Sequence, residues 1–191
     1  GAVPHVVKLI DGGYIDLLFA GNALAAHDIE ASLMGTSLGV NIEKGTPSKE
    51  GHENHIRAIN AVRGAGGIRP AVENGLIKSG IMYACVMNDV DYVLAGSIRD
   101  DGPIPDVITD VIKAQEAMAE RVADVGLALM VATGLHSIAV GNMLPASTRT
   151  VVVDIEASLV TKLADRGTHQ AVGLVSDVEP FFNELLHHFG E

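Results

Sequence analysis

The stretch VDYVLAGSIRDDGPIPDVITD, residues 90–110, decides how the rest of the chain is read. Residues 91–95 (DYVLA) have the length and composition of a short buried strand, and Gly96 lets the backbone turn at its end. Ser97 and Arg99 then offer donors, and Asp100 and Asp101 stand side by side. Gly102, Pro103 and Pro105 hold an irregular segment before a helix expected to begin near Asp106. In an open parallel sheet, ligands bind outside the carboxyl ends of the strands. A loop there with two carboxylates and an arginine is a candidate site. Like charges raise one another's pKa and a guanidinium lowers it, so the trio can be tuned for proton transfer or for holding hydroxyls and amines. The plainer alternative is a helix cap and a solvated turn.

The same strand-then-helix alternation runs outward in both directions. Upstream are a short helix or turn over 4–11, a strand over 14–20, a helix over 23–35, a polar loop over 41–51, and helices over 52–64 and 70–87. In the 23–35 helix Ala25, Ile29 and Leu33 share a stripe and Gly35 ends it, while the glycines of 64–67 follow a helix and read as its stop. Downstream are a helix over 106–123, with Val107, Val111, Ala114, Met118 and Val122 on one side, and a strand over 126–132. A short helix around 135–140, a strand over 151–155, a helix over 156–165, a strand over 171–175 and a helix over 179–189 complete the series. Helical connections of this length imply crossovers between parallel strands, and strand runs apolar throughout imply that both faces are covered. The expected fold is α/β, a three-layer α/β/α arrangement around a mostly parallel sheet. With no repeat, low-complexity tract or linker, residues 1–191 read as a single domain.

Composition narrows the function. The chain has 191 residues, 48% of them hydrophobic, with 21 glycines and 4% aromatics, so its core is built from aliphatic side chains and methionine. The net charge of -11 argues against nucleic acid or an anionic membrane as partner and suits a cationic small substrate. The lone Cys85, in an apolar run, excludes an internal disulfide, fits a cytoplasmic setting and reads as buried and inert. The chain opens Gly1-Ala2 in structured sequence, as expected of a piece of a longer protein.

Four strand ends carry loops rich in small and polar residues, over 20–28, 95–103, 132–145 and 153–167, with a fifth over 175–177, and their convergence points to one shared site. The first lacks the G-x-G-x-x-G fingerprint. Its turn through Asn22 and Ala23 opens a helix whose N–H groups can hold a phosphate or a ribose oxygen, unless Asn22 is only the cap. Asp154 ends a strand where an acid commonly accepts from both hydroxyls of an adenine ribose, or caps the next helix, and Asp177 ends the following strand in the same way. The turn Gly141-Asn142-Met143-Leu144-Pro145 could wrap a cofactor. The eight histidines form no metal site: His52 and His55 share a helix face, but no further ligand stands at a usable spacing. His136 beside Ser137 suggests a hydrolase, yet no G-x-S-x-G elbow accompanies them.

Taken together, AGNALAAHDIE, GTSLGV, LAGSIRDDGPIPDVITDVIKAQ, LHSIAVGNMLP and VTKLADRGTHQAVGLVSDV resemble the conserved region of the LOR/SDH bifunctional enzyme family. That family includes the archaeal-type ornithine cyclodeaminases and the C-terminal part of cyanobacterial arginine dihydrolase/ornithine cyclodeaminases. The resemblance spans about Tyr14 to Phe182. It implies a deoxyhypusine-synthase-like NAD-binding domain, bound NAD, and an N-terminal portion outside this chain. It places NAD against Asn22, Ala23, Asp101, Asn142, Met143, Leu144, Asp154 and Asp177. It implies that ornithine gives a hydride to NAD⁺, loses ammonia on cyclisation and regains the hydride as proline. Asp101 is then the candidate base or amine anchor, and Arg99 or Lys162 the holder of the substrate carboxylate, with Arg99 alternatively pairing with the aspartates. A homo-oligomer is expected. The alternatives are a nucleotide-binding module without chemistry of its own, another NAD-dependent amino-acid oxidoreductase, and a metal-dependent hydrolase using Asp100, Asp101 and His136.

Overall fold

The computed structural model describes residues 1–42, 44–48, 51–166 and 171–190, with the side chains of His52 and Arg166 left aside. In chain order the elements are α1 (Val3–Asp11), β1 (Leu17–Gly21), α2 (Asn22–Met34), β2 (Thr36–Ser37), β3 (Val40–Asn41), α3 (Asn54–Ala65), α4 (Ile68–Glu73), α5 (Ile81–Met87), β4 (Asp91–Ala95), β5 (Val107–Ile108), α6 (Val111–Ala119), β6 (Leu127–Val131), α7 (Gly134–Gly141), β7 (Arg149–Asp154), α8 (Ala157–Arg166), β8 (Ala171–Val175) and α9 (Val178–Phe189). The fold is α/β, with parallel strands alternating with helices. The chain divides into two compact units, residues 6–114 and residues 1–5 with 115–191, each holding its own three-stranded parallel sheet.

In the 6–114 unit, β1 and β4 pair in parallel from Leu17–Asp91 to Gly21–Ala95, and β5 joins the far side of β4 at Leu94–Val107 and Ala95–Ile108. β1 and β4 therefore finish at one edge, where the loops beginning at Asn22 and Gly96 emerge. A Cβ on Gly96 would stand 3.0 Å from the Thr109 Cα, so the approach of β5 requires glycine there. The core gathers Ala25 and Ile29 of α2, Ala58 and Val62 of α3, Ile68, Met82 and Leu94. The alanines let the helix backbones approach, and burying a side chain the size of Ile29 or Leu94 contributes roughly 1.5–3 kcal/mol. Gly35 ends α2 in the left-handed conformation with φ 66° and donates to the Ala31 carbonyl. Gly66 ends α3 in the same conformation, as its place in the glycine run suggests. Cys85 is fully buried, and burial pushes its thiol up to about 12.

Two expectations in this unit are corrected. The helix expected over 70–87 is two helices. α4 ends at Asn74, and α5 starts only after Gly80, whose φ of 100° favours glycine. Asp28 of α2 explains the restart: its Oδ1 and Oδ2 accept from the N–H groups of Ile81 and Met82 at 2.8 and 2.9 Å, capping α5 from outside. Burial raises the Asp28 carboxyl, and the two backbone donors draw it back only in part. The helix expected over 106–123 begins at Val111 instead. Val107 and Ile108 are taken by pairing with β4, and Asp110 Oδ1 accepts from Ile112 and Lys113 N–H at 2.9 and 3.2 Å, an N-cap that starts α6. Val107, Ala114, Met118 and Val122 are buried as expected, while Val111 is exposed.

In the other unit, β6, β7 and β8 lie in sequence order, with Leu129 opposite Val151 and Val151 opposite Val172. α8 covers one face: a Cβ on Gly173 would meet the Val160 side chain, so β8 lies tight beneath that helix. Met130, Val152 and Leu163 form the core, with Leu144, Leu159 and Ile138 against it. The expectation that both strand faces are covered does not hold here. Leu127, Leu129, Val172 and Leu174 are exposed, because alternation turns them away from the α8 side and the two edge strands carry them. Asp177 N-caps α9 by accepting from Glu179 N–H.

Candidate active site

The candidate residues fall into two sets, one in each unit. In the 6–114 unit, Asn22 is the first residue of α2 and 5% exposed. Its Oδ1 accepts from Ile104 N–H at 3.1 Å, so it does not cap its own helix but ties the β4–β5 loop to the end of β1. Gly21 is the helix N-cap and supplies no side-chain bond, which leaves the first N–H groups of α2, at the exposed Ala23 among others, open to a ligand.

That loop is held at several points. Arg63 of α3 donates to the Pro103 carbonyl at 3.2 Å, Asp106 accepts from Ile68 N–H at 2.9 Å, and Asp100 turns inward to accept from Ser97 N–H at 2.7 Å. The two aspartates are therefore separated in role. Asp100 shapes the turn, while Asp101 projects with its side chain 76% exposed and its Oδ2 3.6 Å from Nε2 of His55 on α3. Arg99 pairs with neither carboxylate among the described residues, and its backbone N–H is bound to Ser97 Oγ. The expected Asp–Asp–Arg trio is thus replaced by an Asp101–His55 pair, with Arg99 on the same loop.

The base of α3 that presents His55 is pinned by a buried chain. Asn54 Nδ2 donates to Thr36 Oγ1 at 2.9 Å, and Thr36 Oγ1 donates to Glu30 Oε1 at 2.7 Å. Leu38 and Gly39 N–H groups also donate to Glu30. Burial alone would raise the Glu30 carboxyl, but the donors from Thr36, Gly39, His27 and Leu38 outweigh it and hold the carboxyl below its usual range.

In the other unit, β6 runs into α7 through Ala132, whose φ of 50° is left-handed for a non-glycine residue, and Thr133, which makes no side-chain cap bond. Gly134 opens the helix where a Cβ would stand 3.2 Å from Leu159 Cδ1, so the turn packs closely on α8. The first turn of α7 then holds two buried polar atoms without partners among the described residues, Nε2 of His136 and Oγ of Ser137. Burial lowers the His136 pKa. The next strand, β7, ends at Asp154, 8% exposed, whose Oδ1 accepts from Glu156 N–H at 2.9 Å. No partner for Oδ2 exists among the described residues. Both readings of Asp154 are thus compatible with its geometry: one oxygen organises the turn and the other remains for a ligand. Asn142 is exposed at the end of α7, Met143 is half-buried, and Leu144 packs into the core. Lys162 is exposed midway along α8, and Asp177 is exposed and spends Oδ1 on its helix cap.

Sequence reasoning missed His55 as a partner of Asp101 and Asn22 as a loop clamp. Its metal reading of His52 and His55 falls partly on a side chain outside those described. Among the described residues no group of three or more His, Cys, Asp and Glu could hold a metal.

A parallel strand turning through an uncapped helix start, followed by a strand ending in an acid, is the arrangement of an α/β protein of the Rossmann class. The matching family model, arginine dihydrolase ArgZ-like, C-terminal, Rossmann fold, covers residues 1–185, and the chain belongs to that family. An ornithine cyclodeaminase of Methanopyrus kandleri is 60% identical over 186 residues, covering 97% of this chain and 45% of the relative. The chain thus spans about half the length of such relatives. A LOR/SDH protein of Methanococcus maripaludis matches in structure with a TM-score of 0.95 and 55% identity, over 98% of this chain and 57% of that one. AgrE, solved in ternary complex with ornithine and NAD⁺, matches with a TM-score of 0.94 and 48% identity, over 100% of this chain and 28% of that one. No described helix is long and apolar enough to cross a membrane.

Proposed function

We propose that this chain is the NAD-binding part of an ornithine cyclodeaminase, which converts ornithine to proline and ammonia. The observation that carries the reading is the likeness, over the whole chain, to a protein solved with ornithine and NAD⁺. The donor set of the chain fits such a cofactor. Ser137 Oγ and His136 Nε2 are buried without partners among the described residues beside an uncapped helix start, and such a start favours the negative charge of a phosphate. Asp154 Oδ2 is the acceptor suited to ribose hydroxyls. By the same reading Asn142, Met143, Leu144 and Asp177 are proposed as further cofactor contacts, and the resemblance to the family adds Asn22, Ala23 and Asp101 as candidates.

When bound, NAD would take a hydride from the substrate carbon and return it. The roles left to the protein are to orient the substrate and to move protons. Asp101, an exposed carboxylate on a loop pinned by Asn22, Arg63 and Asp106, is the candidate to anchor the substrate amine or accept its proton. Arg99, on the same loop and unpaired with either aspartate, is the candidate to grip the substrate carboxylate, which a planar guanidinium does with two hydrogen bonds, and Lys162 is the alternative. The net charge of -11 favours a cationic substrate over an anionic one.

Two measurements test the reading. Protein purified and then denatured should release NAD, and the longer protein corresponding to the full relatives should convert ornithine to proline and ammonia. Nucleotide binding without ornithine turnover in that longer protein would favour the non-catalytic module or another amino-acid oxidoreductase.

A further inference from the structure

We propose that His55 is a positioning residue for Asp101, holding one carboxylate oxygen so that the other faces the ligand; the inference rests on the ornithine cyclodeaminase reading for what Asp101 does, but not for the pairing itself. The His55 side chain is 21% exposed and that of Asp101 76%, so the imidazole is the anchored partner and the carboxylate the presented one. Nδ1 of His55 is buried and has no partner among the described residues. The tautomer with its proton on Nε2 leaves only a lone pair at that buried atom, whereas a proton on Nδ1 would be an unsatisfied buried donor. The ring is thereby directed to donate through Nε2, and the acceptor it faces is Asp101 Oδ2. At 3.6 Å the pair is longer than a hydrogen bond, and such contacts in ligand-free sites commonly tighten on binding. A small rotation of the exposed Asp101 side chain closes the gap.

Two further observations show that α3 serves this loop as a frame. Arg63, two turns beyond His55 on the same helix, donates to the Pro103 carbonyl at 3.2 Å. Asn54, immediately before His55, is buried and tied through Thr36 to Glu30. The imidazole therefore projects from a fixed helix start toward a loop that the same helix already grips. His55 does not itself reach a ligand in this arrangement, since its remaining nitrogen is enclosed.

The test uses the longer protein carrying His55→Leu, which removes the donor, and His55→Gln, whose terminal amide reaches about as far as Nε2 and restores it. With melting temperatures matched to wild type, His55→Leu should lower kcat for ornithine about tenfold, the scale of coupled neighbours, and leave KM nearly unchanged, while His55→Gln should recover most of the loss. A His55→Leu variant at wild-type kcat, or a His55→Gln variant equally impaired, overturns the proposal. Nitrogen NMR of histidine-labelled protein gives a readout independent of activity. His55 should show the Nε2–H tautomer, and Asp101→Asn should redistribute it; an unchanged His55 spectrum in Asp101→Asn overturns the pairing. Should the wild-type protein fail to convert ornithine, the functional reading falls, and the nitrogen spectrum still decides whether His55 holds Asp101.

Discussion

Asp154 offers a way to separate cofactor binding from local folding, because the proposed reading gives its two oxygens different tasks. Oδ1 accepts from Glu156 N–H at 2.9 Å and starts the turn into α8, while Oδ2 is the proposed acceptor for the ribose. Asp154→Ala removes both. Loss of the turn bond should cost stability by about 0.5–2 kcal/mol, the range for helix caps. Loss of hydrogen bonds to a charged acceptor should weaken NAD by roughly 1.5–3 kcal/mol, about 10- to 150-fold in affinity. Asp154→Asn divides the two effects. Its carbonyl oxygen can still accept from Glu156, so the melting temperature should stay near wild type. Its amide nitrogen replaces an anionic acceptor with a donor, so NAD affinity should fall nearly as far as in the alanine variant. Isothermal titration with NAD and thermal melting of both variants give the four values needed. The ligand role is refuted if Asp154→Asn binds NAD within about twofold of wild type while Asp154→Ala shows only a lower melting temperature, because Asp154 would then be a turn residue alone.

Three other outcomes follow from the same structure. Asp101→Asn keeps the shape and removes the negative charge and the basicity, so it should abolish ornithine conversion by the longer protein at saturating NAD; proline formation near the wild-type rate would move the role to Asp100, Lys162 or residues outside this chain. Cys85, buried with its thiol raised to about 12, should resist a disulfide reagent at pH 8 in the folded protein and react promptly once unfolded, as followed by absorbance. The Glu30 carboxyl is held below its ordinary value of 4.5 in the folded state, so its contribution to stability is complete above that value and is lost as pH falls through the folded pKa; the stability gap between wild type and Glu30→Gln, measured by urea unfolding, should therefore be widest near neutrality and shrink on acidification.

What the sequence discloses and what it withholds divide along the range of the interactions involved. β4 over 91–95 and β8 over 171–175 are legible to the residue, the stop at Gly35 is placed correctly, and the stop read in the glycine run 64–67 falls at Gly66, because apolar runs and left-handed glycines are set by neighbours in the chain. The break before α5 is not legible, because its cap is Asp28, supplied by another helix. The start of α6 misleads for a related reason. Val107, Ala114, Met118 and Val122 are all buried, as a helical stripe requires, yet Val107 is buried by joining β4. Periodicity reports burial and cannot tell which element performs it. The candidate site follows the same division. A strand ending in Asp154 and a polar loop around Asp101 announce themselves locally. The side chains that give them direction come from far along the chain: Ile104 is held by Asn22, Pro103 by Arg63, and Asp101 faces His55. His55 in particular carries no usable signal, since beside His52 it reads only as half of a metal pair. Its relation to Asp101 arises only when α3 and the β4–β5 loop are packed in the same unit. The proposed ligand residues lie at strand ends and can be read from one stretch of chain, whereas the residues that orient them belong to the packing and need the fold.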